Sequence, residues 1–112
     1  MRLARSYGCP VEFALDVIGG KWKSLVLARL KDAPLRYGEL RRQIPGLSDK
    51  MLTQRLHELV EADLLETLTD ADGARLYALS ARGETLRPVL QSLYDWGCRS
   101  AETFGVDVHD AR

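Results

Sequence analysis

The sequence predicts a mainly α-helical domain carrying one small β-hairpin, on three observations. The first is residues 48–63, SDKMLTQRLHELVEAD. Ser48 can cap a helix, and Leu52, Leu56, Leu59 and Val60 are spaced to form one apolar face. The second is residues 37–47, a short helix with Leu40 and Ile44 inward that Pro45-Gly46 breaks, leaving Leu47 to plug the core at the turn. The third is the pair of strand-like runs 64–69 and 74–79 around Asp70-Ala71-Asp72-Gly73, where Gly73 accepts the positive φ that a hairpin turn needs. Helix, tight turn, capped helix and hairpin, in that order, make a winged helix-turn-helix, whose second helix enters the DNA major groove.

Composition limits the alternatives. The chain has 112 residues, 46% of them hydrophobic, which suits one domain over residues 1–112 with a modest core. Domains this small gain from extra burial in a dimer. The formal net charge is zero, but the charge is segregated. Residues 36–58 hold five basic against three acidic side chains, while residues 59–72 hold five acids and no base. The longest wholly apolar run, residues 25–28, is far too short for a signal core or a membrane span, so a cytoplasmic protein with no membrane partner is expected. Cys9 and Cys98 are too far apart in sequence for a disulfide framework or zinc pattern, so no metal or cofactor is expected. His57 and His109 are also widely separated, and there is no glycine-rich phosphate loop. No catalytic residue is assigned, and an enzyme is not expected.

In chain order, residues 1–8 read as a mobile arm. Residues 9–34 hold two helices. Cys9-Pro10 opens the first, since proline has no amide to leave unpaired at a helix start. Val11, Ala14, Leu15 and Ile18 give its stripe, and Gly19-Gly20 ends it. The second, residues 21–31, carries Trp22, Leu25, Val26, Arg29 and Leu30 on one side, with Trp22 read as core. Ala33-Pro34 stops it, and residues 35–37 form a short strand against the hairpin. The helix-turn-helix spans 37–63 and the wing 64–79. Ser80 caps a last helix over 80–104, bent where Pro88 removes a backbone bond. Residues 105–112 fray. Leu86, Val89, Leu90, Leu93 and Trp96 make a stripe hard to bury in one copy. Together with Val11 and Leu15 they are the candidate homodimer interface. The other reading folds this helix back onto its own core.

The candidate DNA-binding residues follow from the helix wheel. Lys50, Met51, Gln54, His57, Glu58 and Glu61 point away from the apolar face, with Thr53 and Arg55 on its flanks. Gln54 can pair with adenine, Lys50 with guanine, and Met51 can touch a thymine methyl. Thr53 and Arg55, joined by Arg36, Arg41, Arg42 and Arg75, suit phosphates, which position without reading sequence. Ser48, as the cap, completes the set. His57 lies one turn further along. Two copies would present their helices roughly 34 Å apart to a palindromic double-stranded operator. For each residue singly, a solvated surface role is the plain alternative.

These residues carry a family resemblance. Cys9-Pro-Val11, Ile18-Gly-Gly-Lys-Trp22, Leu40 with Arg41-Arg42, Pro45-Gly46, Leu52-Thr-Gln-Arg-Leu56, Leu59, Tyr77-Ala-Leu79, Gly83 and Trp96-Gly97 resemble the HxlR-type winged helix-turn-helix transcriptional regulators, a MarR-like bacterial family. The resemblance covers residues 9–97. It implies a dimeric DNA-binding regulator with its terminal helices in the dimer, and we expect a repressor. Members usually carry a longer, proline-containing wing before a Val-Glu-Tyr-like strand. Here the hairpin is short and the strand reads Arg75-Leu76-Tyr77, so minor-groove contact by the wing does not carry over.

Some members use the cysteine of this Cys-Pro-Val segment to sense oxidants or electrophiles, which makes Cys9 the candidate sensor. A helix N-terminus favours thiolate, although Glu12 in the first turn opposes it. Cys98 is a candidate disulfide partner if geometry brings the two together. The alternative for Cys9 is an ordinary capping residue. A different class, the winged helix as a protein-interaction module without DNA binding, also fits the neutral charge and short wing.

Overall fold

The computed structural model describes residues 3–108. Residues 109–112 of the expected fraying tail lie outside the described residues, as do Met1 and Arg2 of the arm. The elements run α1 (Pro10–Ile18), α2 (Gly20–Asp32), α3 (Tyr37–Gln43), α4 (Asp49–Glu61), β1 (Leu65–Thr69), β2 (Arg75–Leu79), α5 (Ala81–Glu84) and α6 (Arg87–Thr103). β1 and β2 pair antiparallel, with Leu65 opposite Leu79 and Thr69 opposite Arg75. This is the winged helix-turn-helix that the sequence predicts. The short strand expected at residues 35–37 is a single bridge, Leu35 to Tyr77, because Arg36 already caps α3 and Tyr37 opens it.

α2 is the hub, packing against α1, α3, α4, α6 and β2. Val26, Leu27 and Leu30 sit in a core with Leu40, Ile44, Leu47, Leu52, Leu56, Leu59, Leu64, Leu65, Leu79 and Leu90. Each fully buried leucine is worth about 2 kcal/mol over exposure. Leu47 fills the helix-turn-helix corner as expected, and Gly46 makes the bend with φ +89°. Two apolar expectations move outward. Val60 is exposed on α4, and α1 buries Ile18 but leaves Val11, Ala14 and Leu15 in solvent. Trp22 is only half-buried, packed against the core from its edge.

The single bent helix over 80–104 is two helices. Ser80 caps α5 by accepting from the Gly83 amide at 3.0 Å, and its hydroxyl donates to the Asp63 carbonyl at 2.6 Å. The chain turns at Thr85-Leu86, and α6 restarts with Pro88 in its first turn. Proline therefore helps to begin a helix here, where no amide is needed, and does not kink a continuous one. The restart turns Leu90 into the protomer's own core at 4% exposure and packs Leu86 against that core. Leu90 is thus corrected from dimer candidate to core residue. Buried Lys31 ties α2 to α6, donating to Gln91 at 3.1 Å and pairing with Asp32 at 2.9 Å. In the described part of the arm, the Tyr7 hydroxyl donates to Asp16 at 2.8 Å and its ring meets Phe13 edge-on.

Candidate nucleic-acid interface

The reading helix is fixed at its start. The Ser48 hydroxyl accepts from the Met51 amide at 3.1 Å, which satisfies a first-turn donor. Ser48 therefore holds the end of α4 in shape. Lys50, Thr53, Gln54 and His57 are exposed, while Leu52, Leu56 and Leu59 anchor the opposite face. Two residues read as outward are partly drawn in. Met51 is half-buried and packs against the core, which weakens its expected thymine contact. Glu58 is half-buried and pairs with Arg55 at 2.8 Å along the helix. That pair holds the Arg55 guanidinium through Nε and leaves its two terminal nitrogens out of the contact.

The remaining cations divide into held and open groups. Arg41 Nε donates to Asp49 at 2.9 Å, and the Tyr37 hydroxyl donates to the same carboxylate at 2.9 Å. Those two bonds, Arg41 first, hold the Asp49 carboxyl below its ordinary value. They also clamp α3 to the first turn of α4, with Tyr37 3.5 Å from the Thr53 hydroxyl. Arg36 pairs with the wing, at 2.6 Å from Asp70 and 3.7 Å from Asp72. Arg75 lies over the Tyr77 ring at 5.6 Å. Lys50 and Arg42 are exposed and take part in none of the ion pairs found among the described residues. Tyr37 and Asp49 as a clamp escaped the sequence reading. Only the tyrosine at the start of α3 and the acid at the start of α4 hinted at it.

Between α4 and the hairpin lies a cleft of about 230 Å³ lined by Thr53, Leu56, His57, Val60, Thr67, Arg75 and Tyr77. The hairpin turn is built by Asp70, whose Oδ1 accepts from the Asp72 and Ala74 amides at 2.9 Å each. Gly73 closes it at φ +83°. The Ala74 amide, then Arg36 and the Asp72 amide, depress the Asp70 carboxyl despite some desolvation.

Elsewhere, Cys9 is exposed at the N-cap of α1, with no side-chain capping bond. Cys98 is also exposed, and both thiols are free. Val11, Leu15, Val89, Leu93 and Trp96 are exposed apolar side chains on α1 and α6. Among the described residues no cluster of three or more His, Cys, Asp or Glu side chains can hold a metal ion, and no helix is long and apolar enough to cross a membrane.

A capped helix presenting polar side chains beside a basic helix and a two-stranded wing defines a helix-turn-helix transcriptional regulator. The model of HxlR-like helix-turn-helix proteins matches residues 17–104, and the chain belongs to that family. An HTH-type transcriptional regulator of Methanothermobacter thermautotrophicus is 43% identical over 93 residues, covering 81% of this chain and 71% of the relative. Among solved structures, the redox regulator HypR in its reduced form superposes with a TM-score of 0.77 at 34% identity, over 87% of this chain and 98% of that one. Quinone-bound YodB from B. subtilis superposes with a TM-score of 0.67 at 33% identity, over 81% and 99%. The family and these neighbours are regulators, not enzymes, as the sequence led us to expect.

Proposed function

We propose that the chain is a homodimeric, sequence-specific repressor that reads a palindromic double-stranded operator with Gln54 and Lys50. The observation that carries this is the exposed Lys50–Gln54 edge of α4, held outward by the Ser48 cap and the Tyr37–Asp49–Arg41 clamp. Arg42 and Arg75 supply phosphate contacts, and Arg41, gripped through Nε, keeps its two terminal nitrogens for the same use. In a gel-shift titration on the DNA upstream of the chain's own gene, Gln54→Ala is expected to flatten sequence preference by roughly 1–3 kcal/mol. Arg42→Ala is expected to weaken all sequences alike and to lower the salt slope by about 0.9. Wild-type protein showing no salt-dependent binding to any duplex overturns the reading.

A sensing role for Cys9 is the second part of the proposal. It is supported by the exposed thiol at the start of α1 and by the likeness to HypR and to YodB with its bound quinone. Quinone or diamide treatment is expected to weaken operator binding of the wild type and to leave Cys9→Ser unaffected. Cys98→Ser tests whether the second thiol is needed. An equal response in Cys9→Ser removes Cys9 as the sensor.

A further inference from the structure

The wing tip contradicts a simple picture of a basic reading face. Arg36 is the N-cap of α3, the helix that Tyr37 ties to the first turn of α4 through Asp49. Yet the Arg36 guanidinium donates to Asp70 Oδ2 at 2.6 Å and sits 3.7 Å from Asp72, whose side chain is 85% exposed. The geometry is built, since Asp70 uses its other oxygen to fix the hairpin turn and the Arg36 amide is anchored to Glu39 at 2.8 Å. Both acids belong to the stretch of five acids without a base, residues 59–72, that runs from the end of the reading helix into the wing.

We propose that the wing tip withholds Arg36 from DNA: the Asp70 and Asp72 carboxylates occupy its guanidinium, and a phosphate must displace them to reach it. This rests on the DNA-binding reading above. Phosphate contacts add affinity for every sequence equally. Withholding one therefore lowers binding to operator and to unrelated DNA by the same factor, and leaves discrimination to α4. The wing acts as an electrostatic brake in place of a minor-groove finger. An acidic hairpin lying against phosphates would instead be repelled.

Asp70→Asn is the informative variant. Asparagine keeps the Oδ1 acceptor for the Asp72 and Ala74 amides but puts an NH2 group where Arg36 donates. Fluorescence-anisotropy titrations on the upstream duplex and on an unrelated duplex, repeated across salt concentrations, read the effect. Asp70→Asn is expected to tighten both by about three- to tenfold at low salt and to steepen the salt slope by about 0.9. Asp72→Asn, which touches no backbone amide with its side chain, is expected to do the same more weakly. It carries the test if Asp70→Asn fails to fold. In an Arg36→Gln background neither substitution is expected to tighten binding. Unchanged affinity in both aspartate variants overturns the proposal, as does tightening that persists undiminished without Arg36. Wild-type protein that binds no duplex overturns the DNA reading itself, and this inference with it.

Discussion

Gly83→Ala is expected to destabilise the domain by about 3 kcal/mol, a shift of roughly 15 °C in melting temperature. A Cβ built on Gly83 would lie 2.1 Å from the Leu64 carbonyl oxygen and 3.1 Å from its carbon, and 3.3 Å from Leu79 Cβ. The obstacle is backbone, and that backbone is tied down. The Leu64 carbonyl accepts from the Ser80 amide at 3.0 Å, and the Leu64 amide donates to Leu59 at 2.9 Å. Ser80 meanwhile bridges Asp63 and Gly83. Relief would require moving α5 off the junction of α4 and β1, breaking the buried Ser80 bonds and shifting the wing against the reading helix. Gly38→Ala is the control. Its Cβ meets only the Arg42 guanidinium at 3.5 Å, and alanine in a helix gains up to about 1 kcal/mol over glycine. Denaturant unfolding followed by circular dichroism separates the two. A Gly83→Ala midpoint equal to wild type would show that α5 has room that this geometry denies.

The contrast with what the sequence disclosed is physical. The Ser48 cap, the Leu47 plug and the Asp70–Gly73 turn were legible because each is decided by a few adjacent residues. The helix α2 was legible as a helix but not in its burial. It is packed by five other elements, so Leu27 and Lys31 are buried beyond the one stripe that periodicity marks. The break at Thr85-Leu86 was hidden because Pro88 suits both a kinked helix and a new one. Only the docking of Gly83 on Leu64 decides between them. At the candidate site, the outward edge of Lys50 and Gln54 followed from the wheel. The pairs Arg41–Asp49, Arg36–Asp70 and Tyr37–Asp49 did not, because they join residues 8, 34 and 12 positions apart whose meeting depends on the tertiary fold. They change the electrostatics more than the net charge does. Of the basic residues expected on phosphates, three already face a carboxylate.

Disrupting the α6 face is expected to have the largest effect on DNA binding. Val89, Leu93 and Trp96, with Pro88 and Ser92, line an open apolar cleft of about 490 Å³ on that helix. Trp96 is 59% exposed and Leu93 53%, while Leu90 on the same helix holds it to the core. Val11 and Leu15 add exposed apolar surface on α1. Side chains of this size are each worth about 2 kcal/mol when taken out of water, so leaving them wet is costly for so small a domain. In the proposed dimer they are covered. The double variant Leu93→Asp with Trp96→Asp removes that cover without touching the core or α4. It is expected to sediment as a folded monomer at concentrations where the wild type is a dimer. Its affinity for a two-half-site operator is expected to fall by about 10²- to 10⁴-fold, since each reading helix then binds without its tethered twin. Affinity for an isolated half-site is expected to stay near the wild-type value. Wild-type protein that sediments as a monomer, or a double variant that still dimerises, would remove the two-copy arrangement and with it the palindromic operator.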